Sequence, residues 1–168
     1  MTITTTRART HLPLPVALRA AGADRHAARG TMIRESDEHD AMVELVMDAR
    51  SEHVAVMRQA AVAAAEAVGL DPSRVDDVAL AVGEASANVV VHAYEATPGS
   101  FALFVYVTPD DLQFVVRDWG AGIRPRPDSP GLGLGLPLIG ALADAVEFGD
   151  ADDGATDVRM LFRRPAVA

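Results

Sequence analysis

PGLGLGLPLIGALADAV, residues 130–146, places three glycines at alternate positions directly in front of an apolar helical pattern. Glycine loses more backbone entropy on folding than other residues, so Gly131, Gly133 and Gly135 make sense where a Cβ would block a close approach. The first amide groups of a helix lack intrahelical partners and carry partial positive charge, which suits a phosphate group. A glycine hinge without a ligand explains the same pattern, so the run alone leaves both interpretations open.

The composition restricts the class of protein. The 168 residues are 49% hydrophobic and 23% charged, which is typical of one soluble globular domain. The formal net charge of −9 argues against nonspecific binding to nucleic acid or to an anionic membrane. The absence of cysteine excludes disulfides, thiolate metal sites and cysteine nucleophiles, and it is compatible with a cytoplasmic location.

The basic residues are all arginine, fifteen in number, and the sequence contains no lysine. A Walker-type phosphate loop, a protein-kinase strand lysine and a Schiff-base enzyme each need a lysine amine. The sequence therefore excludes all three. Any phosphate site in this protein must rely on backbone amides, arginine or a metal ion.

Residues 1–40 differ from the rest of the chain in charge and composition. Residues 1–34 contain six arginines and one aspartate, a net charge of +5. Prolines interrupt the apolar stretch that a signal peptide needs, and no apolar run approaches the length of a membrane span. We predict a poorly ordered leader, with a transit-like peptide or a later start at Met32 or Met42 as alternatives. The predicted domain covers residues 41–164, followed by the short tail 165–168.

The first part of this domain reads as one strand and two helices. AMVELVMD (41–48) alternates as a strand does. Strong helix formers then lie between Ser51, a candidate N-cap, and Gly69, a candidate stop. Asp71, followed by proline, opens a second helix that extends to about Tyr94.

The second part reads as four strands and one helix. FALFVYV (101–107) and LQFVVRD (112–118) are rich in β-formers and predict an antiparallel hairpin. The glycine run then opens a helix through about Ala143. AVEFGD (145–150) and TDVRMLFRR (156–164) predict two further strands.

This order of elements predicts an α+β fold of two layers. Because strands and helices do not alternate regularly, a doubly wound parallel sheet is disfavoured. A mixed, mostly antiparallel sheet with three helices packed on one face fits better. A dinucleotide-binding glycine fingerprint must follow a strand directly, whereas here the proline-rich RPRPDSP (124–130) precedes the glycines.

Two further groups could carry chemistry. Glu84 and Asn88 lie four residues apart in the second helix, so their side chains project from the same face. Asp118 ends a predicted strand and is followed by Gly120 and Gly122, which would let a ligand lie against the backbone. Taken singly, the first pair is explained by a solvated helix face and the second group by an ordinary turn.

Together, in this order, the three features resemble the Bergerat-type (GHKL) ATP-binding fold shared by gyrase, heat-shock chaperones, histidine kinases and mismatch-repair ATPases. The resemblance extends over residues 41–164. LAVGEASANVVVHAY (80–94), GLGLGLPLIGALAD (131–144) and T-x-V-x-M at 156–160 resemble the bacterial anti-sigma-factor serine kinases of the sporulation and general-stress type.

The resemblance implies a role for each matching residue. Glu84 stands at the general-base position, which takes the proton of an incoming serine hydroxyl, and Asn88 at the magnesium position. Asp118 would hold adenine, and Thr156 would support the adenine end. RPRPDSP would form a lid, from which Arg124 or Arg126 would neutralise phosphate charge. Ala155 stands where these kinases often have glycine, and Gly154 lies one residue earlier. Gly120 and Gly122 would keep the pocket floor open, and Gly131, Leu132, Gly133, Leu134 and Gly135 would wrap the phosphates.

The function implied by the resemblance is that of an anti-sigma factor and kinase. Such a protein sequesters a sigma factor and uses ATP and Mg²⁺ to phosphorylate a serine of a STAS-type antagonist, typically as a homodimer. The first helix, including Arg58, resembles the surface that meets the sigma factor. Two alternatives stay open: a noncatalytic ATP-binding partner protein, and a histidine-kinase-type catalytic domain. The latter needs a dimerising helical hairpin, for which a leader holding Pro13 and Pro15 is unsuited.

Overall fold

The computed structural model describes residues 41–94, 99–120, 135–151 and 154–164. In this part of the chain, strands and helices follow one another in the predicted order, which confirms the α+β fold. The leader 1–40, the tail 165–168 and the lid segment 124–130 lie outside the described residues. The strands are β1 (Val43–Asp48), β2 (Ser100–Val107), β3 (Asp111–Asp118), β4 (Ala145–Asp150) and β5 (Thr156–Arg163), and the helices are α1 (Ser51–Ala67), α2 (Pro72–Asn88) and α3 (Gly135–Leu142).

The five strands form one sheet in the order β1-β2-β3-β5-β4. All four pairings among the described strands are antiparallel, where the sequence left room for a mixed sheet. The predicted hairpin of β2 and β3 is confirmed. Its turn is closed by the amide of Thr108, which donates to the Asp111 carbonyl at 2.9 Å, while the Asp111 amide donates to the Thr108 hydroxyl at 2.9 Å.

The helices pack on one face of this sheet, which we call the helix face. Alternate residues of β2, Phe101, Leu103 and Val105, are completely buried there, in one core cluster with residues of α1 and α2. Residues at helical spacing in the second helix form an apolar stripe, as expected for a core face, and the stripe is buried from α2 into the turn after it: Val75, Val78, Val82, Ser86, Val89 and Ala93. None of the helices in the described part of the chain is long and apolar enough to cross a membrane.

The prediction for the start of α1 is wrong, whereas the prediction for its end is confirmed. Ser51 does not cap the helix, because the extended residue before it, Arg50, takes the N-cap position and Ser51 becomes the first helical residue. A side-chain hydrogen bond to the cap is absent there. At the other end Gly69 has a φ of +76°, and its amide and that of Leu70 donate to carbonyls of the last turn at 3.0 and 3.1 Å. This left-handed cap is the reason that glycine ends the helix.

The ends of α2 position the site. Asp71 is the N-cap residue, as predicted, and its carbonyl accepts from the amides of Arg74 and Val75. The α-helix ends at Asn88, earlier than the predicted end near Tyr94. A π-helical turn, Val89–Ala93, follows it before the backbone becomes extended at Tyr94. Such wide turns are frequent at functional sites, and this one decides where the chain after α2 lies.

Candidate active site

One group of the predicted residues meets where α2 and α3 touch. Glu84 and Asn88 share one face of α2, as their spacing predicts, and Gly135 is the first residue of α3. A Cβ built on Gly135 would lie 3.3 Å from Glu84 Oε2, 3.2 Å from Asn88 Nδ2 and 3.4 Å from Asn88 Oδ1. The start of α3 therefore approaches the two polar side chains closely because residue 135 carries no side chain. We call these three residues the junction group.

The junction group has unused hydrogen-bonding capacity. Asn88 Nδ2 is buried and has no hydrogen-bond partner within the described ranges. Buried polar atoms in native proteins are nearly always satisfied, so this amide is suited to meet a ligand. Rotation about its Cβ–Cγ bond presents either the nitrogen or the oxygen, and the oxygen is a ligand that Mg²⁺ accepts. The described residues contain no cluster of three or more His, Asp or Glu side chains that could hold a metal ion.

Glu84 is half-buried and pairs with no arginine among the described residues. A carboxylate without a cationic partner keeps its oxygens available as proton acceptors. Its Oε2 is the atom that faces the start of α3. The junction group can thus take up a proton beside a point where a phosphate could approach a helix N-terminus.

A second group of predicted residues lies at the end of β3. Asp118 is 1% exposed, and its Oδ1 accepts a hydrogen bond of 2.9 Å from the Gly120 amide. Burial is the main cause that raises the pKa of Asp118, the charge of Asp157 raises it further, and the Gly120 amide lowers it. The bond to Gly120 fixes the orientation of the carboxyl group, which can then accept a hydrogen bond from an amine donor.

Gly120 allows the chain after β3 to press against the end of the π-helical turn. A Cβ at this position would lie 2.1 Å from the carbonyl oxygen of Ala93, a distance that no side chain could tolerate. Gly120, and with it the end of β3, is therefore held against the π-helical turn that follows α2. We call Asp118, Gly120 and Thr156 the strand-end group.

Tyr94 is a contributor that the sequence reasoning missed. Its hydroxyl accepts a 3.0 Å hydrogen bond from the Trp119 amide and donates one of 2.5 Å to the Ser100 carbonyl. Burial is the main cause that raises the pKa of Tyr94. The hydrogen bond from the Trp119 amide lowers this pKa, and the charge of Asp118 raises it. In the sequence Tyr94 is only the last residue of a helical pattern, and no local signal marks a partner so far along the chain.

Thr156 lies directly opposite Asp118 in the pairing of β3 with β5. Opposed residues of an antiparallel pair project from the same face, so both side chains belong to the helix face. In the turn before it, Gly154 has a φ of +79° and its amide donates to the Ala151 carbonyl at 2.9 Å. Gly154 thus takes the left-handed conformation in this turn, so position 155 does not require glycine and can be alanine.

The two groups are joined by one continuous stretch of chain. Asn88 ends α2, and Ala93, which Gly120 contacts, lies five residues further on, so roughly 8 Å along the helix separates them. The structure therefore brings together Glu84, Asn88 and Gly135, and separately Asp118, Gly120 and Thr156. The other predicted ligand residues lie outside the described residues: Gly122, Gly131, Leu132, Gly133 and Leu134, with Arg124 and Arg126 of the lid.

The fold and these two groups point to one class of protein, the histidine kinase-like ATPase domains. The sheet is antiparallel with helices on one face, one helix carries an acid and an amide, and an Asp-x-Gly follows a strand. A family model described as histidine kinase-like ATPase domain matches residues 47–162. The chain belongs to this family, which confirms the resemblance found in the sequence.

Within the family, the chain is similar to bacterial proteins named serine-protein kinase RsbW. It is 29% identical over 129 residues to that of Bacillus cereus strain Q1, covering 68% of this chain and 80% of the relative. It is 32% identical over 120 residues to that of Halalkalibacterium halodurans, covering 62% and 74%. For Bacillus thuringiensis strain Al Hakam the identity is 28% over 129 residues, with coverage of 68% and 80%.

Proposed function

We propose that this protein is an ATP-dependent serine kinase that sequesters a sigma factor in the cytoplasm and phosphorylates a STAS-type antagonist of that anti-sigma activity. The observation that carries the proposal is the junction group, in which a carboxylate and an amide face the first residue of a helix. The names of the relatives support serine as the acceptor. The kinase domain would comprise residues 41–164, preceded by the leader 1–40 and followed by the tail 165–168.

ATP bound with Mg²⁺ would supply the phosphoryl group and neutralise part of its charge. Asn88 would present its amide oxygen to the cation, and the amides at the start of α3 would face the phosphates. Gly135 supports this role because a side chain there would fill the space beside Glu84 and Asn88. Because the chain has no lysine, these groups and the lid arginines would stabilise the negative charge of the phosphates.

The strand-end group would select the base. Asp118 is held by the Gly120 amide, so its carboxylate is oriented before a ligand arrives. An ionised carboxylate only accepts hydrogen bonds, which suits the exocyclic amine of adenine and opposes a carbonyl at the same position. Thr156, on the neighbouring strand, would contact the same end of the base.

Glu84 would act as the general base. The oxygen of the acceptor serine forms the new bond to phosphorus while its proton passes to the Glu84 carboxylate, and ADP leaves with the electrons of the broken bond. A carboxylate without an arginine partner among the described residues is suited to this transfer. The remaining contribution of the site is positioning.

The proposal is tested with γ-labelled ATP, magnesium and a STAS-type antagonist protein from the same organism. We expect acid-stable label on a serine of the antagonist with the wild-type protein, and label that appears at least about a hundredfold more slowly with Glu84→Gln. Nucleotide binding by the wild type without transfer to any STAS-type protein of that organism would favour a noncatalytic partner protein. Acid-labile label on histidine would favour a histidine-kinase-type domain.

The proposed sigma-factor surface includes α1. Arg58 is exposed on α1 and its Cδ lies 3.7 Å from the position of a Cβ on Gly83, the residue before Glu84. Arg58 thus lies next to the helix that carries the proposed base. We expect Arg58→Ala to lower recovery of the sigma factor in a pulldown with ATP, while Arg50→Ala, an exposed arginine at the start of α1, leaves it unchanged. Sedimentation of the full chain tests the proposed homodimer.

A further inference from the structure

The sheet face opposite the helices, which we call the outer face, carries a second buried cluster. It consists of Ala102, Phe104, Tyr106 and Val115, which alternate along β2 and β3 with the residues of the helix face. No helix residue of the described ranges belongs to this cluster. Nevertheless Phe104 is 2% exposed and Val115 4%. Large apolar side chains on an open sheet face would be accessible to water, so this face is covered.

A charged group beside the cluster leads to the same conclusion. Asp157 is completely buried on this face and receives hydrogen bonds of 2.7 and 2.9 Å from Arg117 and one of 2.8 Å from Arg159. The Arg117 guanidinium lies 5.4 Å from the centre of the Phe104 ring. A carboxylate and its arginines on an uncovered face would remain partly hydrated. The two arginine side chains that hold this carboxylate are themselves only 14% and 18% exposed, so little of this charged group is open to water.

One described residue outside the strands touches this cluster. Ala41 is the first described residue, and it packs against the outer-face cluster just before β1 begins. Ala41 therefore lies on the side of β1 that adjoins the outer face. We infer that the apolar part of the leader, residues 12–18, covers the outer face of the sheet.

The sequence of the leader suits this position. Leu12, Leu14, Val16 and Leu18 stand at alternate positions, so in an extended chain they lie on one side. The two prolines between them lack an amide hydrogen, which is no loss where a segment lies on a sheet face and extends no strand ladder. The net positive leader also faces a domain whose charge is negative.

The distances permit the contact. The chain between residues 18 and 41 can span at most roughly 75 Å, whereas five strands are about 20 Å wide. The leader can therefore reach every part of the face. The inference goes beyond the kinase proposal, because it assigns an occupant to a surface remote from the junction group and so decides whether a partner can use that surface.

The absence of cysteine in the chain provides a direct test on the full-length protein. Val115→Cys places a single thiol on the outer face, and Val116→Cys places one on the helix face of the same strand. We expect both thiols to be protected from a soluble disulfide reagent, to the same extent at every protein concentration. With Leu12→Asp and Leu14→Asp added, the V115C thiol should react at least about tenfold faster, while the V116C thiol stays protected.

Four outcomes would overturn the inference. A V115C thiol that reacts freely in the otherwise unchanged chain would mean that the face is open. Protection that is lost on dilution would mean that a second copy covers it. Protection that survives both leader substitutions would exclude this part of the leader. Faster reaction of both thiols would mean that the leader acts on the whole domain and not on one face.

Discussion

The two groups of the site are built by different means. In the strand-end group, Asp118 is buried and hydrogen-bonded to the Gly120 amide, and the neighbouring Trp119 amide is held by Tyr94. In the junction group, Glu84 and Asn88 are half-buried, and within the described part of the chain they have the close approach of Gly135 in common. The strand-end group is therefore preorganised by the fold, whereas the junction group keeps capacity for a ligand.

This difference predicts that substitutions in the two groups affect different properties of the protein. Groups fixed by buried hydrogen bonds contribute to folding and to ligand binding together, so their substitution should affect both. Groups that lack protein partners contribute little to folding, so their substitution should change catalysis in an intact protein. The substitutions below test whether the two groups separate in this way.

The largest expected effect is on catalysis at the junction group. Glu84→Gln keeps the shape of the side chain but removes its ability to accept a proton, so we expect phosphoryl transfer to fall by about 10²- to 10⁴-fold. ATP affinity and the thermal midpoint should stay close to those of the wild type. Single-turnover transfer, calorimetry and thermal unfolding measure the three quantities. Glu66→Gln, at an exposed position of α1, is the matched control. A stability loss as large as the activity loss would contradict the distinction.

The largest expected effect on stability is at the strand-end group. Gly120→Ala would put a Cβ 2.1 Å from the Ala93 carbonyl oxygen, and we expect a loss of about 2–4 kcal/mol in the free energy of unfolding. Gly140→Ala in α3 is the control, since its Cβ would meet nothing within 4 Å. That variant should gain about 0.5–1 kcal/mol. Urea unfolding compares the two, and equal stability of both variants would show that the chain after β3 does not press against the π-helical turn.

Gly135→Ala should have an intermediate effect. Its Cβ would lie 3.2–3.4 Å from the ends of the Glu84 and Asn88 side chains, which can shift by a few tenths of an ångström. We therefore expect a stability change below about 1 kcal/mol, but a fall of about tenfold in kcat/KM for ATP, since the side chains move away from their positions. Unchanged kcat/KM would show that the start of α3 does not contribute to the site.

The smallest expected effect is a change in the pH dependence of stability. Burial raises the pKa of Asp118 in the folded protein above its unfolded value, so the folded state holds this proton more tightly. The free energy of unfolding should therefore fall as pH rises from about 3.9 through the folded pKa, and stay lower above it. Asp118→Asn removes this fall. Urea unfolding over this pH range measures it, with Asp76→Asn at an exposed position of α2 as the control. An identical pH profile for Asp118→Asn and wild type would contradict the assigned burial.

Much of the fold was predictable because local patterns determined it. The apolar stripe of α2, the hairpin of β2 and β3 and the glycine stop at Gly69 each follow from the spacing or conformation of neighbouring residues. Ser51 was placed wrongly because the extended residue before it takes the cap position, and the backbone there is set by the end of β1. A boundary that depends on a neighbouring element has no signal of its own.

The site was predictable in part for the same reason. Glu84 and Asn88 follow from helical spacing, and their meeting with Gly135 was implied by resemblance to a family. The Tyr94 contact with Trp119 and the π-helical turn were not predicted, since they arise from packing between segments that are distant in sequence. The buried outer face did have a signal in the sequence, because FALFVYV (101–107) is apolar at every position, and an unbroken apolar run is typical of a strand covered on both faces.

The most direct test of the proposed nucleotide site compares two nucleotides by calorimetry in the presence of magnesium. Inosine triphosphate has a carbonyl oxygen at the position where ATP has its exocyclic amine, the group from which Asp118 would accept a hydrogen bond. We expect ATP to bind the wild-type protein at least about tenfold more tightly, since the wrong group would leave a buried carboxylate facing an acceptor. Equal affinity for the two nucleotides, or no measurable binding of ATP, would contradict the account.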